Sequence, residues 1–382
     1  MEPAALADLD TPAALIDAPR MQRNVARMQQ RMDALGVRFR PHVKTSKSLP
    51  VVQAQLAAGA RGITVSTLKE AERFFAAGIT DILYAVGMAP ARLPQALALR
   101  RRGCALKLLV DNLAAARAID DFGRAQQHAF EVWLEIDSDG HRSGLQPDAA
   151  ALVEVGRALA GGPGARLGGV MTHAGESYAL NTHEALRRMA ERERAGCVYA
   201  AERLRAAGLP CTEVSVGSTP TALSAEHLEG VTEVRAGVYV FFDLVMANVG
   251  VCSSDDIALS VLTTVIGHQA DKGWAIVDAG WMALSRDRGT QSQQHDYGYG
   301  QVCDAHGCPL PGWVVRSANQ EHGVVSLAAP AHDPVDVVRR FPVGSRLRIL
   351  PNHACATAAQ FPAYRVLQPD GGVATWERFY GW

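Results

Sequence analysis

The sequence runs to 382 residues, of which 48% are hydrophobic and 20% charged, with a formal net charge of -1. That length exceeds what one simple core absorbs and predicts two domains. The near-neutral balance gives no electrostatic reason for a nucleic-acid or anionic-membrane partner, and no apolar run approaches the roughly 18 residues of a spanning helix.

The segment Met1–Asp10 carries three acidic residues and no basic cluster, so it does not read as a signal peptide. The seven cysteines are odd in number and scattered, which argues against a disulfide framework and predicts a reducing, cytoplasmic setting. The run Pro12–Asp17 reads as a strand. From Arg20 to about Val249 short apolar runs alternate with Ala-, Leu- and Arg-rich stretches of helical spacing. The runs are Val37–His42, Gly62–Ser66, Ile82–Val86, Ala105–Asp111, Phe130–Asp137, Leu167–His173, Thr212–Gly217 and Val234–Phe241. Strands alternating with helices predict parallel pairing; an open doubly wound sheet shows the same alternation, and the count of eight favours a (β/α)8 barrel.

After Val249 the texture changes. Ile257–Ile266, Trp274–Asp278, Gly312–Val315, Val324–Leu327, Arg346–Leu350 and Tyr364–Leu367 read as strands between Gly, Pro and Asp turns, with clear helix nearly absent. The expected architecture is therefore α/β: a (β/α)8 barrel over residues 20–250 and a β-rich domain built from 1–19 and 251–382. Pro12–Asp17 has no place in the count of eight and is assigned to the β-rich domain.

A barrel of this kind carries its chemistry at the C-terminal ends of its strands. There the sequence puts Arg40, His42 and Lys44 after the first strand, and Asp137, Gly140, Arg142 and Gly144 after the fifth. His173 follows the sixth, Gly217-Ser218-Thr219 the seventh, and Gly237 and Tyr239 lie at the eighth. Lys44, desolvated in a barrel mouth and flanked by the cations Arg40 and Lys47, is expected to have a lowered pKa and to act as a nucleophilic amine; the plain alternative is a solvent-facing lysine. Gly217-Ser218-Thr219-Pro220-Thr221, just before a predicted helix, offers backbone N–H groups and hydroxyls to a phosphate, although Ser-Thr-Pro is also an ordinary cap. His173 is either a ring that stacks on a flat cofactor or a satisfied core histidine. Arg142 is a surface-loop arginine or a donor to a phenolic oxygen or carboxylate. In the β-rich half, residues two apart on an extended segment face the same side, so His353 and Cys355 can share one ion, with imidazole and thiolate suiting zinc. His322 is a second polar cluster there.

The strings Arg40-Pro41-His42-Val43-Lys44-Thr45, Glu135-Ile136-Asp137 with Gly140, Arg142 and Gly144, Gly217 to Thr221, Ala236-Gly237-Val238-Tyr239, Glu321-His322-Gly323 and His353-Ala354-Cys355 carry a likeness. In that order the sequence resembles the alanine-racemase-fold group of D-serine dehydratases and D-threonine aldolases, from about Asp10 to the C-terminus. The resemblance implies pyridoxal 5'-phosphate as cofactor, bound covalently at Lys44. It places Arg142 near the phenolic oxygen, Gly217, Ser218, Thr219, Gly237 and Tyr239 around the phosphate, and His42, His173 and Tyr178 with the cofactor. It implies catalytic roles for Lys44, Arg142 and His173, and a divalent metal (zinc, manganese or magnesium) on His353 and Cys355.

It further implies a homodimer acting on a small D-3-hydroxy amino acid, D-serine or D-threo-3-hydroxyaspartate, with no nucleic acid and no membrane involved. Aldolase members tend to have Asp where this chain has Cys355, which favours β-elimination over cleavage of Cα–Cβ. A non-enzymatic pyridoxal-phosphate carrier needs neither a β-rich domain nor a metal pair, and ranks last. Arg142, Arg286 and Arg288 are candidate partners for a second substrate carboxylate.

Overall fold

The structure, a computed structural model, describes residues 4–329 and 336–380. The parts of the expected β-rich domain at 1–3, 330–335 and 381–382 lie outside the described residues. The chain divides into two compact units, one of residues 26–237 and one of the residues up to 25 together with 238–380.

In the first unit the alternation read from the sequence becomes eight parallel strands: Arg38–Pro41, Ile63–Val65, Asp81–Gly87, Ala105–Val110, Phe130–Ile136, Ala165–Thr172, Glu213–Val216 and Glu233–Ala236. Each pairs with its successor from the second onward, and the first pairs with the last. A parallel bridge between His42 and Thr64 closes the circle, with the Val43 N–H donating to the Thr64 carbonyl at 2.9 Å. The (β/α)8 barrel is the one the sequence predicts. Its intervening helices start where short polar residues cap them: Thr67, Asn112 and Thr182 each accept a backbone N–H three residues on. Leu83, Leu109, Trp133 and Met171 pack together as one buried apolar cluster.

The barrel also holds charge. Arg40 is 3% exposed and bonds both Glu233 oxygens at 3.1 and 2.9 Å and both Asp81 oxygens at 3.0 and 3.1 Å, while Lys107 meets Asp81 as well. Buried charges persist only when paired in this way. Arg40, expected beside the functional lysine, is instead locked into an ion-pair network. The eighth strand is shorter than the run Val234–Phe241 that predicts it: it stops at Ala236, and Val238–Val240 is a single tight helical turn.

The second unit is a nine-stranded sheet. Its order is Trp274–Val277, Gly323–Leu327, Pro309–Ala318, Gln301–Cys303, Arg346–Leu350, Leu259–Gln269, Ala13–Asp17, Ala363–Leu367, Val373–Glu377. Ala13–Asp17 lies antiparallel to Leu259–Gln269 and parallel to Ala363–Leu367. Two strands, Gln301–Cys303 and Val373–Glu377, were not expected, and short helices at Trp281–Leu284, Val337–Arg340 and Ala354–Ala358 interrupt what reads as helix-free sequence, with another at Leu244–Val249 just before it. Four to six residues are too few for a periodic signal.

Candidate active site

At the C-terminal end of the barrel the chain leaves its first strand at Pro41 and turns through residues 42–47. Lys47 sits at φ 43, in the left-handed region, and its ammonium meets Glu70 Oε1 at 2.9 Å; Glu70 Oε2 accepts the Ser66 N–H at 2.9 Å. Lys47 is 8% exposed and Glu70 fully buried, so this pair pins the turn that carries Lys44 to the loop after the second strand. Gly237 closes on the same turn: a Cβ there would lie 3.0 Å from the His42 carbonyl and 3.2 Å from Thr45 Oγ1.

Lys44 itself is exposed, not desolvated as the sequence reading expects. The two cations expected to act on it are spent in ion pairs, Arg40 on Glu233 and Asp81, Lys47 on Glu70. Two imidazoles, His42 and His173, lie close enough to feel its charge. Burial holds His42 well below the usual histidine range, and Lys44, Arg235 and His173 push the same way. Burial, and then Lys44, bring His173 down to about 3. His173 Nδ1 lies 3.1 Å from the Gly217 carbonyl, which can only accept, so Nδ1 carries the proton and Nε2 is bare. Tyr178 faces His173 with ring centroids 6.0 Å apart. Both imidazoles are therefore neutral, and a pH prediction follows. A histidine whose folded-state pKa is depressed takes up protons on unfolding, so its stabilising contribution is complete above about 6.5 and is lost as the pH falls toward 3. His173→Gln should flatten the decline in urea-unfolding free energy across that window; an unchanged slope would count against the assignment.

Gly217 is at φ +131, and a Cβ there would stand 2.1 Å from the Arg235 carbonyl, so only glycine fits. Ser218 caps the short helix Thr219–Ser224. The Gly217 N–H donates to Glu193 Oε1 at 3.0 Å and the Ser218 N–H to Thr221 Oγ1 at 3.0 Å, so these two amides are engaged within the protein. Thr219 is fully buried. Arg142 is exposed, with Nη2 3.6 Å from Glu135 Oε1. Asp139 anchors its loop by accepting the Glu176 N–H at 3.0 Å. Arg235, passed over in the sequence, is 3% exposed inside the barrel and donates from Nε to Ser215 Oγ at 2.8 Å.

The second unit holds the other cluster. His353 is extended (φ -135, ψ 108) and opens the helix Ala354–Ala358, so Cys355 approaches the imidazole across a helix start and not along a strand as expected. His353 Nδ1 meets Asp287 Oδ2 at 2.6 Å, which leaves Nε2 as the ligand atom. Asp243 is buried and accepts the Ala354 N–H at 2.8 Å and the Met246 N–H at 2.9 Å. Burial pulls the His353 pKa down, but Cys355, to which the ring is hydrogen-bonded, Asp287 and Asp243 outweigh it and raise it to about 11. Surroundings that favour a proton so strongly favour a divalent cation on the same donors. Asp287 and Asp243 were missed because 66 and 111 residues of chain separate them from their partners. Arg288 is bound by Asp296 at 2.9 and 3.2 Å, Arg286 is exposed and stacks on Trp281 at 4.2 Å, and His322 is exposed in the turn before Gly323–Leu327.

These two clusters can be set beside known proteins. The alanine racemase N-terminal domain matches residues 16–245, and a serine dehydratase domain matches 258–367. The chain belongs to the alanine racemase N-terminal domain family. This alanine racemase-like family is one of pyridoxal-phosphate enzymes. Within it the chain is 72% identical to the D-threo-3-hydroxyaspartate dehydratase of Delftia sp. strain HT23 over 99% of each chain. The solved structure of that enzyme superimposes with a TM-score of 0.97 at 71% identity, covering 99% of this chain and 100% of the other. Its solved forms include one variant with a histidine replaced by alanine, and a metal-free variant with a cysteine two positions further on replaced by alanine. A D-serine dehydratase from Dictyostelium discoideum is 29% identical over 96% of this chain and 95% of its own, and a D-threonine aldolase from an Arthrobacter species 30% identical over 92% and 87%. Among the described residues no helix is long and apolar enough to cross a membrane.

Proposed function

We propose that this chain is a pyridoxal-phosphate- and divalent-metal-dependent dehydratase that converts a D-3-hydroxy amino acid, D-threo-3-hydroxyaspartate before D-serine, to a keto acid and ammonia. The observation that carries the reading is the pair His353 and Cys355 with Asp287 on Nδ1, in a chain whose barrel offers Lys44 near two neutral imidazoles.

The barrel residues fit the cofactor. Thr64 Oγ1, on the strand bridged to His42, is buried with no hydrogen-bond partner among the described residues, an orphan that a ligand oxygen would satisfy. Lys44 would hold the cofactor, with Arg142 toward its phenolic oxygen, His42, His173 and Tyr178 along the ring, and Gly217, Ser218, Thr219, Gly237 and Tyr239 shaping the phosphate end. Pyridoxal phosphate, when bound, supplies an electron sink that makes the Cα proton removable. Lys44 Nζ is the base that takes that proton, and the rings of His42 and His173 beside it are uncharged. His173, its Nδ1 committed to Gly217, presents only an acceptor and cannot compete as an acid. In the other unit His353 and Cys355 would hold the metal, whose chemistry there is Lewis-acid help to a leaving hydroxyl.

The functional halves proposed are the barrel over 20–250 and the metal-bearing β-rich part over 1–19 and 251–382. A cytoplasmic homodimer is proposed with them; all seven cysteines are free, which suits a reducing compartment. The assay is direct. D-threo-3-hydroxyaspartate and D-serine should release ammonia and keto acid, while D-threonine should give no glycine and acetaldehyde. Glycine and an aldehyde as the principal products would overturn the dehydratase reading in favour of an aldolase.

A further inference from the structure

Glu193 lies in the middle of the helix His183–Ala206, on its buried face, and is 1% exposed. A glutamate so placed is expensive unless its oxygens are used. One oxygen, Oε1, accepts two backbone amides from different loops: Ala174 N–H at 2.9 Å and Gly217 N–H at 3.0 Å. The Thr221 side chain hydrogen-bonds the same carboxylate. Ala174 follows His173 in the loop after the sixth barrel strand, and Gly217 opens the loop after the seventh. The two loops are joined again by His173 Nδ1 on the Gly217 carbonyl at 3.1 Å and by Ser177 Oγ and Ser218 Oγ at 2.8 Å. The Gly217 turn is one only glycine can make, since a Cβ there would stand 2.1 Å from the Arg235 carbonyl.

We propose that Glu193 is a positioning residue that fastens the His173 loop to the Gly217–Thr221 loop, so that ring and phosphate contacts to the cofactor are presented in one fixed register. The inference rests on the cofactor reading above. Glu193 touches backbone and Thr221 and acts only through them.

The test compares wild-type protein, Glu193→Gln, Glu193→Asp and Glu193→Ala, stripped of cofactor and titrated with pyridoxal phosphate, followed by visible absorbance and by circular dichroism of the bound cofactor. Glutamine keeps an acceptor for both amides and should bind within about threefold of wild type. Alanine forfeits the hydrogen bonds that both amides make and should weaken binding by about 10-fold or more, with a diminished dichroic band at saturation. Aspartate, one methylene shorter, should fall between, and it decides the matter should the alanine variant not fold. Folded alanine and aspartate variants that lose only thermal stability, with wild-type affinity and an unchanged dichroic band, would show a merely structural role and overturn the proposal. Wild-type protein that takes up no pyridoxal phosphate would overturn the cofactor reading itself, and this inference with it.

Discussion

Lys44→Ala should cut turnover by at least about a thousandfold and at the same time abolish covalent attachment of the cofactor, since one amine serves both as anchor and as base. Borohydride reduction of wild-type protein, followed by peptide mass analysis, should place the cofactor mass on the peptide containing Lys44; in the alanine variant no peptide should carry it. The structure gives the reason to expect so large an effect. Among the groups nearest this lysine, His42 is held far below the histidine range and His173 at about 3, so neither is basic enough to take over proton removal. Arg40 and Lys47, the other basic residues of the turn, are bound to carboxylates. An active Lys44→Ala protein that is still trapped by borohydride would sink the assignment.

The barrel was legible in the sequence because its strands are short, continuous apolar runs that are buried on both faces, and the spacing between them leaves room only for a helix. Lys44, His173 and Gly217 were legible as candidates for the same reason: once strand ends are known, position singles them out. What position could not supply was pairing at long range. Arg40 reads like a functional cation, yet Glu233, 193 residues away, and Asp81 claim it. Gly217 and Ser218 read as phosphate donors, yet Glu193 and Thr221 take their amides. Glu193 itself looks like one more charge on a polar helix rich in arginine and glutamate. In the second unit the pair His353 and Cys355 was found on a wrong premise: an extended segment puts residues two apart on one side, whereas here a helix starts at the histidine. Asp287 sat unnoticed between two arginines that drew the attention.

Variants of the metal pair should separate two halves of the reaction. Cys355→Ala and His353→Ala are expected to go on exchanging the Cα hydrogen of a D-3-hydroxy amino acid with solvent deuterium while releasing ammonia at least about a hundredfold more slowly, since Lewis-acid stabilisation of a developing oxyanion is worth several kcal/mol. The argument begins with hydroxide, a poor leaving group at neutral pH. Removing a proton from Cα supplies the electron pair that expels it but does nothing to stabilise the charge on the departing oxygen, and the base that removes the proton belongs to the barrel, whereas imidazole and thiol sit in the other unit. Asp287 sharpens the expectation. By accepting from His353 Nδ1 at 2.6 Å it fixes the tautomer and turns Nε2 into the donor atom, so Asp287→Asn should weaken metal binding by about 10- to 100-fold, read by competition with a chelator, and lower ammonia release without touching exchange at saturating metal. Treatment of the wild type with chelator should reproduce the cysteine variant, and zinc or manganese should reverse it. Metal-free protein that eliminates at full rate would remove the metal from the reaction. Loss of exchange and elimination in equal measure, with cofactor still bound, would mean that the ion orients the whole substrate and not the hydroxyl alone, and the choice between breaking Cβ–O and breaking Cα–Cβ would then rest with the barrel residues.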